Sequence, residues 1–260
     1  VKAQEVMANP QSNLKKLAEV IKMDPSLVIR ILKMANSSYY GLPGKVSSIE
    51  HATVMLGQKV LGEVITMAGI SDLLGRSLQG YNLDSGDLWR HSMAVAFGSK
   101  IIALKLAPAS VNDAFVAGLL HDAGKIILDA PVLERKAQFE KFMDNEGATF
   151  LMAEASLLGF DHCEIASEMC RRWNIPDSIT RAIAYHHYPS RSGGNSLSYI
   201  LHLADYIATL SGVGIGSDDI LYQKEEGTLG FLGLQQKAVS EVMFQVMEAC
   251  NQIEEVPEAA

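Results

Sequence analysis

The residues of this chain best suited to chemistry are His91, the adjacent pair His121-Asp122, His162, the pair His186-His187, and Asp205. The pair His121-Asp122 sits inside Gly118-Leu119-Leu120-His121-Asp122-Ala123-Gly124-Lys125, a polar interruption of apolar sequence. Burying an imidazole or a carboxylate without a partner costs several kcal/mol, so something must satisfy both. A divalent metal would do so; a hydrogen-bond network inherited from a lost metal site would do so equally. Neutral imidazole with carboxylate suits Fe, Mn, Zn or Ni and selects none of them. On a helix, His121 and Asp122 point about 100° apart, so both reach one ion only if it lies between their directions.

Each candidate has a plainer reading. His162 follows Asp161, a good N-cap, and could be a first-turn surface residue. His187, next to His186, could face solvent. Lys125 is placed near a helix end, where a cation complements the dipole. Asp87, four residues before His91, reads as helix-start charge, and His51 and His202 read as structural. Asn36-Ser37-Ser38 reads as a helix terminus, with Asn36 able to tie two domains together by hydrogen bonds.

The elements that must position these groups are helices. Leu14, Leu17, Ala18 and Ile21 form one apolar stripe. Asp24-Pro25 supplies an N-cap and a first-turn proline, and Ser47-x-x-Glu50 reads as a capping box. Gly57 and Gly62 mark a break or a close helix contact. Further helices are expected near 87–106, 113–129, 132–145, 149–158, 162–173, 177–187, 196–211 and 235–253, with Pro108, Pro131, Gly159, Pro176, Pro189 and Gly193-Gly194 between them. Residues 212–233 read as a long, partly irregular connection. Alternating β-branched runs are nearly absent. The expected fold is all-α, with an N-terminal helical subdomain (1–78) packed on a multi-helix domain (79–260).

Bulk properties narrow the function. With 48% apolar residues among 260, the chain can fill a sizeable core. Its 22 basic residues are scattered against 30 acidic ones, net −8, and form no concentrated positive face, so a direct nucleic-acid partner is not expected. Cys163, Cys170 and Cys250 have no metal-knuckle spacing and read as buried thiols in a reducing compartment. No apolar run reaches the roughly 20 residues of a membrane span. The chain shows no signal peptide and opens without methionine, so it is read as a cytoplasmic protein and an excised or processed fragment.

The order His, His-Asp, distant Asp resembles the HD superfamily of metal-dependent phosphohydrolases. That resemblance implies His91, His121, Asp122 and Asp205 as ligands of a first metal. Its cyclic-dinucleotide phosphodiesterase branch implies His162, His186 and His187 for a second, with Lys125 facing a phosphate. A closer resemblance spans nearly the whole chain. Asp24-Pro25-Ser26-Leu27, Ile31-Leu32-Lys33-Met34-Ala35-Asn36-Ser37, Ser48-Ile49-Glu50-His51-Ala52, Leu56-Gly57, the Gly118–Gly124 segment, Trp173-Asn174-Ile175-Pro176, Ala184-Tyr185-His186-His187 and Leu203-Ala204-Asp205 are similar to the HDOD (HD-related output domain) family. It implies a bacterial regulatory output module acting on an unidentified signalling partner. Many members lack metal ligands, whereas this chain keeps them. Tyr188-Pro189 follows the histidine pair without the Gly-Tyr-Pro signature of the phosphodiesterases. Three readings remain: a regulatory module, a phosphohydrolase of nucleotides or cyclic dinucleotides, and a non-catalytic nucleotide or phosphate sensor.

Overall fold

A computed structural model describes residues 21–214, 216 and 224–254. Among them every regular element is helical, and the only β pairing is an isolated antiparallel bridge between Leu78 and Leu83. The chain divides into two compact units, residues 1–72 with 248–260, and residues 73–247. The division lies a few residues before the boundary read from the sequence, and the last residues group with the first unit.

In the first unit, α1 spans Pro25–Ala35. The Asp24 carboxylate accepts from the Leu27 N–H at 3.0 Å, and Pro25 opens the helix, where its missing N–H costs nothing. Leu14, Leu17 and Ala18 lie outside the described residues. At the other end of α1, the Asn36 amide donates to the carbonyls of Leu32 (2.7 Å) and Val46 (2.8 Å) and accepts from the Val46 N–H (2.7 Å). Those partners all belong to the first unit. Helix α2 spans Ile49–Leu74 and kinks at Gly57, whose φ of 72° and ψ of 168° are non-helical. The capping box predicted at Ser47 does not form. The helix begins one residue later than that box requires; Ser48 Oγ accepts from the His51 N–H at 3.1 Å, while Glu50 pairs with Lys22.

The second unit carries the candidate site. Helix α3 (Asp87–Leu106) is buried along most of its length because it packs against both α4 (Val111–Leu120) and α10 (Ser196–Leu210). Small residues set how closely. A Cβ on Gly118 would lie 2.6 Å from Ala96 Cα, and one on Gly98 would lie 3.1 Å from Ala204 Cβ. The backbones of α4 and α10 therefore approach α3 directly, which brings side chains of all three helices within reach of one another.

The helix predicted over 113–129 is two helices. After α4, residues 121–124 form a turn and α5 runs over Lys125–Glu134. Pro131 consequently lies inside α5 and not between helices. Its ring removes the N–H that would bond the carbonyl of Ile127, a residue 52% exposed, where water can take that acceptor. Helices α6 (Lys136–Met143) and α7 (Phe150–Leu158) follow, the latter capped by Thr149 Oγ1 accepting from the Met152 N–H at 3.2 Å. Helix α8 (His162–Arg172) opens with a capping box between Asp161 and Glu164. Helix α9 (Asp177–Ala184) stops short of the predicted end at 187, so His186 and His187 stand on the turn beyond it. The connection read over 212–233 contains a short helix, α11 (Thr228–Phe231), and α12 spans Gln236–Glu254.

Candidate metal centre

His91 comes from α3, His121 and Asp122 from the turn after α4, Lys125 from the first residue of α5, His162 from the first residue of α8, His186 from the turn after α9, and Asp205 from α10. All are at most 3% exposed, and His187 beside them is half-buried. Two glycines bracket the turn because backbone presses on it from both sides. Gly118 lies against α3, and a Cβ on Gly124 would sit 2.0 Å from the His162 carbonyl oxygen.

Asp122 is the centre of the cluster. Its Oδ2 faces His121 Nε2 at 3.3 Å, His91 Nε2 at 3.8 Å and Lys125 Nζ at 2.6 Å; its Oδ1 faces His162 Nε2 at 3.4 Å and His186 Nε2 at 3.9 Å. Asp205 Oδ1 closes the first side, 3.0 Å from His91 Nε2 and 3.6 Å from His121 Nε2. On the second side, His162 Nε2 and His187 Nε2 are 3.0 Å apart.

The outer nitrogens of these rings are occupied. Nδ1 of His91 donates to the Val213 carbonyl (3.1 Å), that of His121 to the Gly118 carbonyl (2.8 Å), that of His186 to the Ile183 carbonyl (2.8 Å), and that of His162 to Glu154 Oε2 (2.8 Å). Each anchor fixes the ring and turns its Nε2 inward. One of those inward atoms, His186 Nε2, is buried with no hydrogen-bond partner, while His121 Nε2 rests against Asp122 and Asp205. An unsatisfied buried polar atom costs ~1–3 kcal/mol. A divalent cation among them would remove that cost, and the donor set of imidazoles and carboxylates fits one. Three groupings of donors could hold an ion: His91, His121 and Asp205; His121, Asp122 and His186; and His162, Cys163, His186 and His187.

Electrostatics differ around the cluster. Burial opposes charge on His121, but Asp122 and Asp205 hold its pKa up at about 10. Burial likewise opposes ionisation of Asp122, which His121 and Lys125 keep well below the usual carboxylate range, and of Asp205, lowered by hydrogen bonds from His121 and His91. His162 is raised despite burial, by Cys163 and Glu154 beside it. Burial, then neighbouring imidazoles, push His186 down to about 3 and His187 well below its ordinary value. Burial pushes the Cys163 thiol up to about 12. Protons on His121 and His162, with Lys125, thus offset the buried carboxylates where no cation does.

Several plainer readings fail here. His162 follows its N-cap as predicted, yet it is buried. His187 meets His162 and does not simply face solvent. Lys125 is not a helix-end cation: it opens α5, where the dipole disfavours a positive charge, and it stays because Asp122 binds it. Asp87 does behave as helix-start charge, accepting from Arg90 and the Asp84 N–H. Sequence reasoning missed Glu154, the lone charge in the apolar run of α7, a signal of the same kind as His121-Asp122. Fully buried, it accepts from Tyr81 Oη (2.7 Å) and from both the backbone N–H and the ring of His162. His202, read as structural, donates from Nδ1 to the His186 carbonyl at 2.7 Å and accepts the Glu225 N–H at 2.8 Å, bracing the turn that carries the histidine pair.

Known proteins share this arrangement of helices. A solved HDOD domain protein from Geobacter sulfurreducens superposes with a TM-score of 0.78 at 26% identity, covering 99% of this chain and 91% of that one. A signal transduction protein from Marinobacter aquaeolei VT8 superposes with a TM-score of 0.74 at 25% identity, over 97% of this chain and 57% of its own. A protein from Shewanella amazonensis SB2B, named as a phosphohydrolase, shares the fold with a TM-score of 0.76 at 23% identity, over 97% of this chain and 91% of its own. In sequence, 189 residues, 71% of the chain, are 25% identical to an uncharacterized protein of Treponema pallidum, of whose length they span only 35%. The HDOD domain itself matches residues 1–189, a stretch that contains every histidine and carboxylate of the cluster except Asp205. With that match over most of its length, the chain belongs to the HDOD family.

Proposed function

We propose that this chain is a regulatory output domain whose buried His/Asp cluster holds one or two divalent ions and passes a signalling state to a protein partner. The observation that carries the reading is the anchoring of four histidines by their Nδ1 atoms, with their Nε2 atoms converging on Asp122. His91, His121, Asp122 and Asp205 would hold one ion; His162, His186 and His187, with the second oxygen of Asp122, would hold another. Fe, Mn, Zn and Ni all suit the first set. Burial of nearly every ligand favours an ion held in place over a substrate exchanging at each turnover. The likeness to the Marinobacter signal transduction protein points the same way.

A second reading is a metal-dependent phosphohydrolase of nucleotides or cyclic dinucleotides. It is favoured by the Lys125 ammonium at the cluster and by the half-buried His187, which gives the second side an outward edge. A bound divalent ion supplies Lewis acidity to such a reaction. Lys125 would then orient a phosphate while His187 meets it from the open edge.

Elemental analysis of protein purified anaerobically without chelator, beside Asp122→Ala, tests the metal reading. One or two equivalents in the wild type, absent from a folded variant, are expected. A folded wild type that takes up no metal on reconstitution would sink both readings. Phosphodiester turnover that vanishes in His121→Ala would replace the regulatory reading with the enzyme. Saturable nucleotide or phosphate binding that raises Tm without product would mark a sensor.

A further inference from the structure

The second side of the cluster contains a donor that neither the superfamily resemblance nor the residue spacing brings forward. Cys163 is buried at the second position of α8, and its sulfur belongs with one nitrogen each of His162, His186 and His187 to a group whose donor atoms all lie within 4.8 Å of one another. Metal–nitrogen and metal–sulfur distances of ~2.0 and ~2.3 Å put the donors of a tetrahedral site about 3.3–3.6 Å apart. The His162–His187 separation of 3.0 Å is already near that value. His186 points an unpartnered, fully buried Nε2 inward, because its Nδ1 is committed to the Ile183 carbonyl. His162 is committed likewise to Glu154. The group therefore offers three nitrogen donors and one sulfur, beside the second oxygen of Asp122.

We infer that His162, Cys163, His186 and His187 form a three-histidine, one-cysteine site for a borderline-soft divalent ion, Zn(II) or Fe(II), chemically distinct from the carboxylate-containing site of His91, His121, Asp122 and Asp205. This rests on the metal-holding reading above and deepens it. Thiolate donors select Zn and Fe over Mn, so the two sides prefer different ions. The seven-residue gap to Cys170 hid this role in the sequence, since the partners of Cys163 are histidines 23 and 24 residues away across a turn.

Cobalt(II) is the probe, because cobalt–thiolate bonding produces an intense near-ultraviolet charge-transfer band that imidazole and carboxylate ligands do not. Chelator-treated, folded wild-type protein titrated with Co(II) is expected to develop that band; Cys163→Ser should lose it, and Cys170→Ser should keep it. The Cys163→Ser protein should also hold Zn(II) at least about tenfold more weakly, the scale on which even outer partners of a metal site act. X-ray absorption of the zinc-loaded wild type supplies a test independent of any variant, with a sulfur neighbour expected at ~2.3 Å. Cobalt that binds with visible d–d absorption but no charge-transfer band, and zinc without sulfur, would overturn the cysteine assignment and leave the metal reading intact. No uptake of either ion would overturn both.

Discussion

The two sides of Asp122 both build on buried histidines and arrive at different chemistry. On the first side, His91 and His121 face Asp205 and one oxygen of Asp122, and the carboxylates keep His121 protonated to about pH 10. On the second side, His186 and His187 face mainly other imidazoles, and burial keeps them neutral. Packing makes the difference by choosing which ligands each side receives. The first side is closed by α10, which delivers a carboxylate. The second is closed by the turn after α9, which delivers two adjacent rings. A cation entering the first side must displace a proton; at the second, two of its rings are already in the ligating form.

The sharpest way to break this contrast is to remove what the two sides share. Asp122→Ala should abolish metal retention on both, whereas Asp205→Ala should empty only the first. Metal counts per folded chain distinguish the two outcomes, and equal losses would mean that the sides are one site.

Proton inventory sharpens it next. Metal uptake at pH 7 should release protons from His121, His162 and the Cys163 thiol, so apparent affinity should rise with pH. Calorimetry in buffers of different ionisation enthalpy reads the number released, and zero release would refute the charged state of His121.

Metal-free stability should fall on both arms of pH. His121, raised above its unfolded value near 6.5, contributes stability that is complete below about pH 6.5 and is lost as pH climbs through about 10. His186, lowered to about 3, costs nothing above about pH 6.5, and its resistance to protonation erodes stability between about 6.5 and 3. Thermal melts across pH should therefore peak near neutrality, and loading metal should flatten the alkaline arm.

Smaller effects separate the second side from its support. Glu154→Gln keeps the shape but replaces one acceptor of the Tyr81 and His162 bonds, and should weaken metal binding on that side ~10–100-fold. It should leave ion occupancy on the first side unchanged. Ser48→Ala, in the other unit, should cost only about 1 kcal/mol of stability and leave metal content unaltered.

What could be read from the sequence follows the same division. The first side was legible because the polar pair His121-Asp122 interrupts an apolar run; elsewhere, the Asp24-Pro25 and Asp161 caps were legible as local signals with local causes. The break at 121–124 was not legible. It depends on Gly124 lying against the His162 backbone, a contact across 38 residues that no periodicity announces. Missing that break also misplaced Lys125 and Pro131. The early end of α9 hid that His187 could swing toward His162. Glu154 was within reach, since one charge among Phe150-Leu151-Met152-Ala153 and Ala155-Ser156-Leu157-Leu158 asks for a buried partner.

Gly124 has one more consequence. Where the turn bearing Asp122 meets α8, main chain touches main chain, and no side chain stands between them to change rotamer and soften a movement. Were Asp122 to shift on ion loading, the contact of Gly124 with the His162 backbone would carry that shift into α8. Seen mechanically, the glycine would be a hard bearing and α8 the part that rests on it.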